Sequence, residues 1–361
     1  MTTPAGPGPA DLPDRLLAAL LGAQEVAAVA LGARLGWYGC LAEAGPATAA
    51  ELAGRSGTDA RYAREWLEHQ AVSGYLAVDD VSAAPDDRRY HLPAAHRGVL
   101  VDELDPAHMT PLATLTATLV GAVPELTEVY RGRRTLSWAD LGDDVREAQA
   151  AANRPLFLGA LVDELLPAVP GLDAALTAGG RVADVGCGYG WSSIGIARRW
   201  PAARVDGFDV DGPSVERARA HAADAGVAQR VTVSTDDVRR LGRDGEYDLV
   251  TAFECVHDLA DPVAVLAAMR RLSRPGGVVL VLDEAVAEEF TVPGSDIDRL
   301  MYGYSVLCCL PDGRSSEPSA ATGTVLRPAT LRAYARQAGF ADVEVVPVDA
   351  GFFRLYRLVT G

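Results

Sequence analysis

Residues 181–190 read RVADVGCGYG, and no other stretch narrows the fold as far. An apolar run reaches an acid, Asp184, and then meets three glycines in the spacing G-x-G-x-G: Gly186, Gly188 and Gly190. Glycine permits turns closed to other residues and lets a ligand approach the main chain with no Cβ in the way. The helical stretch that follows, WSSIGIARRW, offers unpaired N–H groups at its start. Strand, glycine turn and helix in that order open a parallel, doubly wound sheet. The alternation continues. RVDGFDV, RVTVS, YDLVTAF and GVVLVLD read as strands, with GPSVERARAHAADAG and DPVAVLAAMRRLS as helices between them. DVEVVPVDAGFFRLYRL reads as a closing hairpin that turns at Asp349–Gly351.

The glycine spacing also selects the ligand. A dinucleotide fingerprint wants its third glycine at position 191, and that position is Trp191. A ligand without a pyrophosphate fits better. The second strand ends in Asp209, where a carboxylate can accept from both hydroxyls of a ribose. After the third strand, STDDV places Asp237 to accept from an adenine amino group and Val238 to pack on the ring. Singly, each aspartate is an ordinary solvated loop residue. In order, at the carboxyl ends of successive strands, they point at one crevice suited to an adenosine.

From Leu12 to about residue 170 the pattern is helical. The first segment is apolar all round, as a buried or interface helix is. Thr48 with Glu51 forms a capping-box pattern, and Thr58 or Asp59 can cap the next helix. Tyr62, Trp66, Leu67 and Val72 fall near one face of it. YLAV and RRYHL read as a small hairpin, which completes a winged-helix pattern. The segment from Asp59 to Val72 sets Arg61 and Arg64 against Asp59, Glu65 and Glu68, a poor balance for phosphates. With a net charge of −16 over 361 residues, this favours a dimerisation element over nucleic-acid binding. The expected division is a disordered tail (1–11), a winged-helix domain (12–100), connecting helices covering the active site (101–178) and a catalytic domain (179–361). Five cysteines, an odd number without a C-x-x-C pair, indicate a reducing compartment, and the cytoplasm is expected. The first residues show no basic n-region or apolar h-region. No uncharged apolar run reaches the roughly 18 residues of a membrane helix, so no membrane partner is expected.

In that order, VADVGCGYG, VDGFDVD and STDDV resemble the motifs of class I S-adenosylmethionine-dependent methyltransferases, over residues 179–361. The resemblance implies an α/β, Rossmann-like seven-stranded sheet whose last strand runs antiparallel. It implies S-adenosyl-L-methionine as cofactor, held by Asp184, Gly186, Gly188, Gly190, Asp209, Asp237 and Val238, with Phe253 beside its amino-acid part. Together with the winged-helix start, the chain resembles the O-methyltransferase branch that dimerises through its N-terminal domain. It is similar also to actinobacterial small-molecule methyltransferases carrying segments like REWL (Arg64–Leu67) and SVLCCLPDG (Ser305–Gly313). A homodimer acting on a small molecule of secondary metabolism is therefore expected.

In that branch a histidine in an HDWSDE-like run acts as general base. Here the run is HDLADP, with Leu259 and Pro262 departing from the pattern. His257 is the candidate base. Methyl transfer from a sulfonium is an in-line displacement, a neutral hydroxyl is a poor nucleophile, and an imidazole titrates near neutrality. Glu284 is expected to hold the other ring nitrogen; Asp258 is not, because neighbouring side chains point apart. No metal is expected: a two-histidine, one-carboxylate site lacks its second histidine after position 257. His257, Glu254 and Asp283 form the weaker metal alternative. RLMYGYSVLCCLPDG is expected to line the acceptor pocket through Met301, Tyr302, Tyr304 and Cys308, with Phe157 of NRPLFLGALVDELL turned inward. PDGRSSEPSAATGTVL reads as a lid. A hydroxyl oxygen is the expected acceptor. Carbon or nitrogen, and a cofactor-sensing winged-helix regulator, are the alternatives.

Overall fold

The computed structural model describes residues 11–361, so the expected tail lies outside it except for Asp11. The chain divides into two compact units. One comprises the residues up to Gly121 with Asp143–Pro155; the other comprises Ala122–Gly142 with Leu156–Gly361.

The first unit holds α1 (Leu12–Arg34), α2 (Trp37–Ala44), α3 (Ala49–Ser56), α4 (Ala60–Val72), β1 (Ala77–Val78), β2 (Tyr90–His91), α5 (Arg97–Leu100) and α6 (Thr110–Gly121). The strands β1 and β2 pair antiparallel as the expected wing. Thr48 and Glu51 exchange side-chain bonds to each other's backbone N–H, a complete capping box, and Asp59 caps α4. The buried face of α4 is Ala63, Trp66, Leu67 and Gln70, spaced i, i+3, i+4, i+7. Tyr62 and Val72 are 75% and 86% exposed, which corrects the face expected for them. They lie beside that stripe, not within it. Trp66 packs against Trp37, with ring centroids 4.7 Å apart. The helix α1 keeps Leu12, Leu16, Leu17, Leu20 and Leu21 exposed, so it is not a buried helix within this chain. By length and composition it is also sufficient to cross a membrane. A count of strictly uncharged residues misses this because Glu25 interrupts the run.

The second unit begins with α7 (Val123–Tyr130) and α8 (Trp138–Leu141). Next, α9 (Asp143–Leu158) passes into it from the first unit. A π-helical turn (Leu161–Leu165) and α10 (Leu172–Thr177) follow. The alternating region is β3 (Arg181–Val185), α11 (Trp191–Arg199), β4 (Arg204–Phe208), α12 (Gly212–Asp224), β5 (Val231–Ser234), β6 (Tyr247–Phe253), α13 (Pro262–Leu272), β7 (Ser273–Glu284), α14 (Asp296–Tyr304), α15 (Leu310–Gly313), α16 (Pro328–Gln337), β8 (Asp342–Val345) and β9 (Phe353–Val359). Seven strands form one sheet in the order β5-β4-β3-β6-β7-β9-β8. The strands β3 to β7 are parallel, and β9 runs antiparallel to both its neighbours, as expected. Val182, Ala183, Leu249, Val250, Val281 and Leu282 are fully buried or nearly so, because helices cover both faces of a parallel sheet. Strand order reverses between β3 and β6. That is where a crevice opens beyond the strand ends.

Candidate active site

On one side of that switch point lies the glycine loop. Gly186, Gly188 and Gly190 hold φ of 68°, 49° and 79°, in the region that a Cβ disfavours. A Cβ on Gly190 would meet that of Ala218 on α12 at 3.1 Å, whereas one on Gly188 would meet nothing within 4 Å. The Gly188 backbone is therefore open to a close approach. Its N–H donates to Asp209 Oδ2 at 2.8 Å, and the N–H of Asp211 donates to Oδ1 at 2.9 Å. The loop and the tip of β4 thus share one edge. Burial raises the Asp209 carboxyl above the usual range.

Asp184 sits beneath this edge, buried, and accepts from the hydroxyls of Ser192, Ser193 and Thr251 at 2.6, 2.7 and 2.9 Å. Both its oxygens serve to pin α11 against β3 and β6, and burial raises its pKa. Trp191 stacks on His221 of α12, with centroids 4.3 Å apart. Asp237 accepts from the Arg239 guanidinium at 2.7–3.0 Å, and that pairing holds its carboxyl below the usual range. Val238 is buried in the same cluster as Phe208. Phe253, buried at the end of β6, packs on Phe157 with centroids 6.1 Å apart. Phe157 is therefore turned inward.

Across the switch point, the chain leaves β6 through Glu254 at φ 54°, a conformation that costs a residue with a Cβ. Val256–Asp258 then form a single 3-10 turn. This carries His257 inside, to 4% exposure. Its Nδ1 lies 2.9 Å from Asp283 Oδ1 and 3.2 Å from Glu284 Oε2, and its Nε2 lies 3.4 Å from Asp258 Oδ2. Burial alone would depress the imidazole pKa, but Asp258, Glu284 and Asp283 together hold it well above the free value. Burial also disfavours a charged Asp283, yet His257 beside it keeps that carboxyl below the usual range. Burial pushes Glu284 well above it.

Two expectations are corrected here. Glu284 does reach the ring, but Asp283 is closer. Asp258 reaches it as well, from the other side. In a 3-10 turn successive side chains diverge by about 120°, not by the half-turn of a strand, so adjacency does not keep them apart. His257 also belongs to two sets of donor atoms, each lying within 4.8 Å of one another: with Asp283 and Glu284, and with Asp258 and Cys309. Neither is the expected set with Glu254. Cys309 ends a π-helical turn, Ser305–Cys309. Met301 and Cys308 are buried and Tyr304 is half-buried. Tyr302 instead borders a hollow of about 440 Å³ lined also by Phe290, Val292 and Arg327. The four residues do not converge on one wall.

Comparison with known proteins agrees with this geometry. Residues 182–277 match the family described as a methyltransferase domain, and residues 23–102 match an Rv2258c-like winged HTH domain. A ubiquinone biosynthesis O-methyltransferase of Pseudomonas aeruginosa (strain UCBPP-PA14) is 30% identical over 172 residues, 47% of this chain and 68% of that protein. Among solved structures, the mitomycin 7-O-methyltransferase MmcR superposes with a TM-score of 0.72 at 21% identity, covering 98% of each chain. Human N-acetylserotonin methyltransferase in complex with SAM superposes with a TM-score of 0.73 at 18% identity, covering all of both chains. At such identities these two establish a shared fold.

Proposed function

The chain belongs to the S-adenosylmethionine-dependent methyltransferases, and from that premise we propose that it methylates a hydroxyl oxygen of a small molecule, with His257 as the base. S-adenosyl-L-methionine is its cofactor. The cleft fits that group: three glycines with positive φ, an open backbone at Gly188 and a carboxylate, Asp209, at the next strand tip. Bound there, the cofactor supplies a methyl carbon made electrophilic by its sulfonium.

The remaining work falls to side chains. Asp209 exchanges the amides of Gly188 and Asp211 for ribose hydroxyls. Gly186 and Gly190 shape the loop, and Asp184 acts at one remove by fixing the start of α11. Val238 and Asp237 flank the adenine, and Phe253 closes the amino-acid end. His257 donates its Nδ1–H to Asp283, which sets the tautomer and stabilises the cation formed when Nε2 takes the acceptor's proton. Met301, Tyr304 and Cys308 belong to the acceptor side. The observation that carries this reading is the 2.9 Å contact between Nδ1 and Asp283 inside a buried turn. It is tested by supplying methyl-labelled cofactor with phenols, keto acids and amines and locating the label by mass spectrometry. Label on carbon or nitrogen would displace the oxygen assignment.

The reading includes a cytoplasmic homodimer joined through the winged-helix unit. The exposed leucines of α1 and the five free cysteines are in keeping with it. The rival DNA-binding role is disfavoured because Arg61 pairs with Glu65 and Arg64 with Asp86.

A further inference from the structure

We propose that residues 122–142 form a strap that docks on the second unit and steadies the turn carrying His257, with Asp312 as the positioning residue that latches it. The inference rests on His257 standing at the reacting centre, as above.

The chain leaves the first unit after Gly121 and returns to it at Asp143, and what lies between belongs to the second unit. The two helices of this excursion, α7 and α8, have eight and four residues. Helices shorter than about 12–15 residues are marginal by themselves in water, so the segment depends on what it docks against. Few side chains hold it there, since only Leu126 and Leu136 within it are buried. A stretch with so few buried apolar side chains opens at low cost. Two hydrogen bonds fasten it. Tyr130 Oη donates to the Val306 carbonyl at 2.9 Å, and the Trp138 N–H donates to Asp312 Oδ1 at 2.6 Å.

Both acceptors lie on one short segment that also abuts the histidine turn. A Cβ added to Gly313 would lie 3.3 Å from the carbonyl oxygen of Asp258, and Asp258 Oδ2 is 3.4 Å from His257 Nε2. Asp312 thus holds the strap while the next residue bears on the turn that holds the ring. A displacement of about 1 Å at a reacting group can cost 10²-fold in rate, so this brace bears on turnover.

The acids facing Asp312 come from three elements: Asp258 of the histidine turn, Asp140 of α8 and Asp211 ahead of α12. Burial, and then Asp258, push its carboxyl up to about 7, against the pull of the Trp138 N–H. Undocking returns the carboxyl to water and towards its ordinary value of 3.8. The docked state therefore keeps the proton longer. Docking is strongest below the ordinary value, weakens as pH rises towards 7 and levels off above.

Hydrogen–deuterium exchange of the full chain, corrected for the intrinsic pH dependence of amide exchange, tests this without an acceptor. Asp312→Asn keeps an acceptor oxygen for Trp138 and loses the charge, whereas Asp312→Ala loses both. Peptides from 122–142 should exchange about 2–10-fold faster in Asp312→Ala than in Asp312→Asn, the value of one hydrogen bond, and peptides from 254–259 should follow. In the parent, strap exchange should rise from pH 5 to pH 7 by up to about tenfold per unit, the limit for one proton. In Asp312→Asn it should stay level. Tyr130→Phe removes the other bond and should loosen the strap without touching the pH dependence. Calorimetric affinity for S-adenosylhomocysteine at the parent value shows that each variant is folded.

Equal strap exchange in the Ala and Asn variants, or a rise with pH that persists in Asp312→Asn, overturns the latch. Loosening confined to 122–142, with 254–259 unchanged, overturns the brace on the histidine turn. The base assignment is judged separately, by the turnover of His257→Ala, so either reading can fail with the other intact.

Discussion

The tips of β3, β4 and β5 and the tips of β6 and β7 are two halves of one sheet edge, built on different physical plans. In the first half every acid has found its donors: backbone amides for Asp209, hydroxyls for Asp184, a guanidinium for Asp237. In the second, Asp258, Asp283 and Glu284 crowd one imidazole and leave buried oxygens without partners. The first half is satisfied before any ligand arrives and presents open main chain. The second gathers three carboxyl groups around one buried imidazole. Changes in the first half should alter affinity, and changes in the second should alter rate and its pH dependence.

The largest effect expected is on His257→Ala. Turnover should fall about 10²–10⁴-fold, the usual contribution of a positioned base, while calorimetric affinity for S-adenosylhomocysteine stays at the parent value. A matching loss of affinity would erase the distinction between the halves. The pH dependence sharpens it. Because neighbouring carboxylates raise the imidazole pKa, the rate should climb with pH through that raised value as Nε2 loses its proton. Asp283→Asn lowers the value and should move the rising limb of the profile to lower pH. An unmoved limb would remove Asp283 as the partner. By the same sign, the ion pairs of His257 contribute stability that is full below the free-imidazole value of 6.5 and lost as pH rises through the raised one.

Effects on the other half should be smaller and of a different kind. Asp209→Ala should weaken cofactor binding by about 1–3 kcal/mol, the scale of a lost buried hydrogen bond, with kcat nearly unchanged at saturating cofactor. A fall in kcat at constant affinity would place Asp209 with the chemistry. Asp237→Asn should cost least, under about 1 kcal/mol, because its carboxylate already shares an exposed pairing with Arg239. A larger loss in the same calorimetric titration would mean that the carboxylate leaves Arg239 for the adenine.

Much of this molecule was legible in its residues. The strand and helix order, the glycine turn, the capping box at Thr48 and the wing all depend on contiguous residues, and hydrophobic period and turn chemistry are contiguous signals. Even the choice between a dinucleotide and a smaller nucleoside ligand came down to one position, Trp191. The same signals misassigned Tyr62 and Val72, because a helical period gives a face and not its width.

The partners of His257 were another matter. Asp283 is 26 positions away, and Cys309 lies on a turn that no period announces. They meet because β6 and β7 are parallel neighbours in a register that pairs Phe253 with Leu282, so that the residues after each come together, and because the π-helical turn Ser305–Cys309 ends beside them. Register and turn geometry follow from packing of the whole sheet, and the residues of one strand do not encode them. The glycine-loop motif could be read along the chain, whereas the cluster around His257 exists only once the strands are side by side.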